Sequence, residues 1–225
     1  MALPEILFLD LDDTLYPSDS GVWPAISERI NRYLIENLHI GAGQAEQLRR
    51  HYFRSFGTTL AGLMADHDIQ PADYLTFVHD VPIEALIQPD PALTAALESL
   101  PQPKWIFTNA SRQHAARVLA ALGLTDAMQG IIAIEDLQYR NKPDLVAYRR
   151  AMTLAQAAEA AGCLLVDDRW QNLVPARRLG MRTVWVGPRA ADHEGVDHWI
   201  QHVGQLPRIL DDLGHANGRL DAGRD

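Results

Sequence analysis

The chain holds a single cysteine, Cys163, among 225 residues. That excludes an intramolecular disulfide and a cysteine metal cluster, and its setting in the apolar run "GCLLV" reads as core packing. Positive charge is short as well: 20 Lys and Arg stand against 29 Asp and Glu, for a net charge of −9. A general electrostatic grip on nucleic acid or on an anionic membrane is therefore not expected. No apolar run approaches the roughly 20 residues of a membrane span. The N-terminal stretch lacks the basic start and unbroken apolar core of a signal peptide, because Asp10 interrupts it. A cytoplasmic protein is expected. No internal repeat is apparent, and the histidines form no ligand cluster. "DHEGVDHWIQHV" (192–203) contains His193, His198 and His202, but it reads as a solvated loop leading into a short edge strand, where i,i+4 spacing does not align ligands.

What the chain does have is 47% hydrophobic residues, arranged in short runs. "EILFLDL" (5–11), "KWIFTNA" (104–110), "GIIAIED" (130–136), "CLLVDD" (163–168) and "RTVWVG" (182–187) read as strands, flat enough to be buried on both faces of a parallel sheet. Helical patterns separate the later ones, at 112–122, 144–155 and 171–180. Such alternation indicates an α/β fold. The first strand breaks the rhythm. From Leu15 to Pro103 there is no strand signal, and 22–38, 45–56, 59–67 and 72–78 carry helical spacing. A stretch this long is no ordinary loop. The expected organisation is an α/β core with a parallel sheet, built from residues 1–16 and 88–214, with a helical domain at 17–87 inserted after the first strand. "IQPDPAL" (87–93) serves as the return linker and 215–225 as a flexible tail.

The first strand runs into "FLDLDDTLYP" (8–17), where three of the four residues from Asp10 to Asp13 are aspartates. Two carboxylates about 5 Å apart repel by about 3 kcal/mol at an effective dielectric near 20, so such a site raises some of their pKa values or binds a cation. Asp13 is the one most simply read as a cap or turn residue. In open parallel sheets ligands bind beyond the carboxyl ends of the strands, and the other strand ends carry a matching set. Thr108, Asn109 and Ser111 follow the second strand, and Lys142 precedes Pro143 after the third. Asp167 and Asp168 end the fourth, with Asn172 one turn into the next helix.

Several carboxylates without clustered histidine or cysteine suit a hard cation, Mg²⁺ first. A lysine and a hydroxyl facing that cation suit a phosphoryl group, whose oxygens need positive charge and donors. A free carboxylate beside phosphorus can attack it and form an aspartyl-phosphate. A second can protonate the leaving oxygen and then activate water.

These residues resemble, in order, the four motifs of the haloacid dehalogenase-like hydrolase superfamily: Asp10-x-Asp12-x-Thr14, then Thr108, then Lys142 before Pro143, then Asp167, Asp168 and Asn172. The resemblance implies a Rossmann-like sheet with a helical cap. By family role it makes Asp10 nucleophile and metal ligand, and Asp12 the acid/base that also ligates metal through its backbone carbonyl. Thr108 and Lys142 hold the phosphoryl group, and Asp168 is the side-chain metal ligand. Asp167 stands where many members have Gly, and it too is counted with the metal site. Members that cleave carbon–halogen bonds lack the second acid of the first motif, so Asp12 points to phosphate esters; phosphosugar mutases keep both acids. "DLDDTLYP", "YFRSFGTTLAGLM", "DYLTFVHDVP", "IFTNASRQHAARVLAALG" and "NKPD" are similar to the pyrimidine 5′-nucleotidase-like branch. That implies a small phosphorylated metabolite, a nucleoside monophosphate, as the partner. Thr58 and Thr59 of "FGTT", the aromatics near them, and Asn109 are the candidate substrate contacts. A plain helix–helix connection is the competing reading of "FGTT", and a structural role is expected for His79 and Asp80.

Two other classes stand against an Mg²⁺-dependent phosphatase. A phospho-accepting signalling domain uses a similar residue set, but without a large insertion and without a second acid two residues after the first. A binding protein that lost catalysis would not need the whole motif set.

Overall fold

The computed structural model describes residues 3–188 and 193–221. In chain order the elements are β1 (Ile6–Leu9), α1 (Val22–Glu36), α2 (Ala42–Phe56), α3 (Thr59–Asp66), α4 (Pro71–Val78), α5 (Ile83–Leu86), α6 (Pro91–Glu98) and β2 (Lys104–Phe107). There follow α7 (Arg112–Leu122), β3 (Gly130–Ile132), α8 (Leu145–Leu154), β4 (Cys163–Asp167), α9 (Trp170–Leu179), β5 (Arg182–Val186), β6 (His198–Ile200) and α10 (Leu206–Asp221). The six strands form one sheet in the order β3-β2-β1-β4-β5-β6. Every pairing is parallel. This is a Rossmann-like α/β sheet, and the order reverses at β1, whose neighbours β2 and β4 lie far along the chain. The carboxyl end of β1 is thus the crevice where such sheets bind ligands.

All four residues of β1 are buried. Successive side chains on a strand point to opposite faces. Leu7 and Leu9 join one hydrophobic cluster with α6, α7 and α10, whereas Ile6 and Phe8 join a second with α8 and α9. Each fully buried Leu or Phe is worth about 1.5–3 kcal/mol relative to exposure, so the flat apolar run fixes β1 at the centre of the sheet.

Between β1 and β2 the described residues contain helices and no strand. In α1 the buried residues Val22, Ile26, Ile30, Tyr33 and Leu34 form one helical stripe. Tyr33 packs edge-on to Tyr74 of α4 at 5.0 Å between ring centroids. The α2–α3 contact is closer still. A Cβ on Gly62 would lie 2.2 Å from the Tyr52 ring, so only glycine lets the two helices meet there. Their interior continues into the cluster on the β1 Leu7/Leu9 face. Among the described residues no helix is long and apolar enough to cross a membrane.

Four expectations change. The run 130–136 is a strand only to Ile132, because the Asp136 carboxylate accepts the Ala133 N–H at 2.9 Å and turns the chain. "IQPDPAL" is only half a linker: Asp90 accepts the N–H groups of Ala92 and Leu93, and Pro91 starts α6. That places proline at the first helical position, where its missing N–H costs nothing. The expected tail at 215–225 is helical as far as Asp221, because α10 continues from Leu206 and Leu210, which are buried against the core; residues 222–225 lie outside the described set. The histidine stretch also packs more than a solvated loop would. His193 stacks on Trp170 at 4.6 Å, and His198 opens the edge strand β6.

Candidate active site

Chain leaving β1 turns sharply at Asp13, whose φ of 59° is a conformation aspartate tolerates better than most residues. The turn reading of Asp13 therefore stands. Its carboxyl is pushed up to about 6 by burial, then by the charges of Asp12 and Asp10. The turn throws Asp10 and Asp12 into different surroundings.

Asp10 faces Lys142. The Lys142 ammonium, almost fully buried, donates to Asp10 Oδ1 at 2.8 Å and to Asp167 Oδ2 at 2.7 Å. Thr14 Oγ1 donates to Asp10 Oδ2 at 2.9 Å and accepts the Asp168 N–H at 3.1 Å. Burial tends to neutralise Lys142, but the two carboxylates override it and hold the ammonium above its usual range. Burial raises the pKa of Asp10; Lys142 opposes this and the Asp167 charge adds to it. Asp168 is raised too, by burial first and then by the charges of Asp10 and Asp167. One lysine does not neutralise two buried carboxylates with a third, half-buried one beside them.

Asp12 faces the other way. Its Oδ1 accepts from Tyr16 Oη at 2.6 Å and lies 2.7 Å from His114 Nε2. Burial alone would raise its pKa, but His114 and Tyr16 outweigh burial and bring it down to about 2.

The supporting shell is specific. Asn109 grips the Lys142 backbone with both ends of its amide: Oδ1 accepts the Lys142 N–H at 2.8 Å and Nδ2 donates to the Lys142 carbonyl at 3.1 Å. Expected to touch substrate, Asn109 has its hydrogen-bonding capacity largely spent on placing the lysine, although it also borders the cavity. Asn172 Nδ2 donates to both oxygens of Asp167, at 2.9 and 3.1 Å, and the Arg169 N–H donates to Oδ1 at 2.9 Å. Asp167 is thus a buried, saturated partner of Lys142, whereas Asp168 is more open. Thr108 is buried and accepts the Ala110 N–H at 3.0 Å.

A cavity of about 250 Å³ lies over these groups. Asp10, Asp12, Thr108, Lys142 and Asp168 form its floor. The helical segment forms the roof with Trp23, Phe53, Thr58, Thr59, Tyr74 and His79. Gly57 ends α2 at φ 84°, and Thr58 caps α3 by accepting the Ala61 N–H at 3.1 Å. The Thr58 hydroxyl therefore has a structural task as well as a place at the cavity. Tyr52, expected among the stacking aromatics, is buried and donates to Asp66 at 2.9 Å; Phe53 takes the position at the cavity, with the Arg169 guanidinium 4.3 Å from its ring centroid. Asp80 pairs with Arg29 at 3.1 Å, on the surface. His79, expected to be structural, borders the cavity.

Among the described residues Asp10, Asp167 and Asp168 offer carboxylate oxygens within 4.8 Å of one another. A hard cation takes such donors. Two features of the site fit one: an excess of buried negative charge, and the buried Asn172 Oδ1, which has no hydrogen-bond partner. Sequence reading missed Tyr16 and His114. The first is one helical turn's spacing from Asp12, and the second is a histidine on the apolar stripe of α7.

Residues 4–180 match the family described as haloacid dehalogenase-like hydrolase. The chain belongs to that family. It is 27% identical over 192 residues to Phosphate metabolism protein 8 of Saccharomyces cerevisiae, covering 79% of this chain and 60% of that protein. The chain thus spans about three-fifths of that relative's length. Among solved structures it resembles the HAD phosphatase of Thermococcus onnurineus, with TM-score 0.63, 18% identity and coverage of 92% and 98% of the two chains. It resembles the L-2-haloacid dehalogenase of Xanthobacter autotrophicus with TM-score 0.61 and 15% identity, over 93% and 99%. The magnesium-bound YfnB protein of Bacillus subtilis matches at TM-score 0.61 and 18% identity, also over 93% and 99%. At such identities these structures establish the shared fold.

Proposed function

We propose that this hydrolase is a Mg²⁺-dependent phosphomonoesterase that works through an aspartyl-phosphate on Asp10. The observation that carries the reading is the pair of acids at the end of β1: Asp10 beside Lys142, and Asp12 two residues on, directed elsewhere. Carbon–halogen cleavage needs only the first. Phosphate ester hydrolysis uses both, because its leaving oxygen needs a proton.

In the first step an Asp10 oxygen bonds to phosphorus, the ester P–O bond breaks, and Asp12 gives its proton to the leaving oxygen. In the second, water bonds to phosphorus, its proton passes to Asp12, and Asp10 departs. An ionised Asp12 suits the second step; in the first, the negative charge of the incoming phosphate raises its proton affinity. Lys142 and Thr108 hold the phosphoryl oxygens. Asp10, Asp168 and the Asp12 carbonyl would hold Mg²⁺, with Asp167 acting through Lys142. Bound there, the cation supplies charge stabilisation to the phosphoryl oxygens.

For substrate we propose a pyrimidine nucleoside 5′-monophosphate. Supporting this are the resemblance of the cap and core motifs to that branch and a roof that includes the aromatic rings of Trp23 and Phe53. The Thr59 hydroxyl, next to them on the cavity, would bond the edge of the base or the ribose. A cytoplasmic setting belongs to the same proposal and rests on composition. Phosphate release from UMP, CMP, phosphosugars and an aryl phosphate, with Mg²⁺ and after chelation, tests all of it. UMP or CMP should be preferred, and EDTA should abolish turnover. Better turnover of phosphosugars would remove the nucleotide reading alone; full activity after exhaustive chelation would remove the metal.

A further inference from the structure

His114 sits in the first turn of α7, its side chain fully buried, on the stripe shared with Ala115, Val118, Leu119 and Leu122. A polar ring on an apolar stripe costs free energy unless it is hydrogen-bonded. Its partner is Asp12. A carboxylate oxygen only accepts, so the Nε2 that lies 2.7 Å from Oδ1 carries the proton. Tyr16 donates to the same Oδ1 at 2.6 Å. Both donors meet on one oxygen, and Asp12 Oδ2 accepts no hydrogen bond among the described residues.

The imidazole is also held from above. His79, at the C-cap of α4, stacks on it with ring centroids 4.4 Å apart and planes 21° from parallel. His79 Nδ1 lies 2.9 Å from Ser111 Oγ, which caps α7 by accepting the His114 N–H at 3.2 Å. The clamp therefore joins the helical segment to the acid at the end of β1.

The geometry points to His114 as a positioning residue for Asp12: with Tyr16 it pins Oδ1, so that Oδ2 is the oxygen that gives a proton to the leaving group and takes one from water. The inference rests on the phosphomonoesterase reading and adds to it which oxygen acts and what holds it.

The test compares kcat/KM for an aryl phosphate, whose leaving group needs little protonation, with that for an alkyl phosphate, whose leaving group needs it. Misplacing a reacting group by an ångström can cost about 10²-fold. His114→Ala should lower the alkyl value about 10–100-fold and the aryl value no more than about threefold. His114→Gln, whose amide N–H can reach the same oxygen, should recover most of the alkyl loss. Tyr16→Phe should show the same leaving-group dependence to a smaller degree, and it decides the matter if His114→Ala does not fold. Equal losses on the two esters, no loss in Tyr16→Phe, or no recovery by Gln over Ala would overturn the inference while leaving an active phosphatase. A wild-type protein that releases phosphate from neither ester would remove the underlying function reading as well.

Discussion

Asp10 and Asp12 leave the same strand two residues apart, yet they inhabit opposite electrostatic worlds. Asp10 lies in a buried knot where one ammonium serves the carboxylates of Asp10 and Asp167 with Asp168 nearby, and burial with like charge pushes its pKa up. Asp12 has two donors to itself and a pKa near 2. The difference teaches how one turn separates two tasks. The lysine side carries more negative than positive charge and, in the proposed reaction, is where phosphorus would bind. The histidine side already has its donors and, in the proposed reaction, is where a proton would move.

The sharpest way to break this contrast is Asp10→Asn, which keeps volume but removes the proposed nucleophile. It should abolish turnover with the fold retained by circular dichroism; near wild-type phosphate release would end the assignment. Asp12→Asn should cost about 10²–10⁴-fold, with kcat/KM falling further for an alkyl than for an aryl ester, and equal loss of kcat/KM on both would deny Asp12 the acid role. Lys142→Met leaves two buried carboxylates without their cation, a loss of about 3–5 kcal/mol for a broken buried pair. Denaturant unfolding in chelator should show it, and an unchanged midpoint would mean that the lysine side is not the strained one. The smallest effect concerns acid. The folded pKa of Asp12 lies below the ordinary value of 3.8, so its stabilising charge is fully present above about pH 4 and is lost as pH falls through about 2. The stability gap between wild type and Asp12→Asn, on the order of 1–2 kcal/mol, should close over that window; a gap independent of pH would contradict the charge-based origin.

Most of the lysine side was legible in the chain because Asp10, Thr108, Asp167 and Asp168 sit at strand ends, which converge by topology in a parallel sheet, and Lys142 lies in the loop between β3 and α8. The apolar runs that place Asp10, Thr108 and Asp167 are local signals, and the long strand-free interval after Leu15 announced the helical segment. The histidine side was harder to read. His114 lies 102 residues from Asp12 within a helix whose pattern reads as ordinary amphipathic, and only its place on the apolar stripe hinted at a buried partner. Asn109 and Thr58 were seen as polar groups near the site, but their competing backbone bonds depend on the cross-chain approach of Lys142 and on the helix cap. The run 130–136 was overread as strand because Asp136 captures a backbone donor, an event that hydrophobic patterning does not encode.

The division of labour at the end of β1 has one direct measurement: Asp12→Asn protein, given an aryl phosphate with Mg²⁺, quenched in acid during turnover, and mapped by peptide mass spectrometry. The first step should proceed without the acid while the second stalls without the base. The account predicts the added mass of one phosphoryl group on the peptide carrying Asp10, absent when Asp10 is also changed to Asn. Phosphate release without any such adduct, or an adduct on another residue, would contradict it.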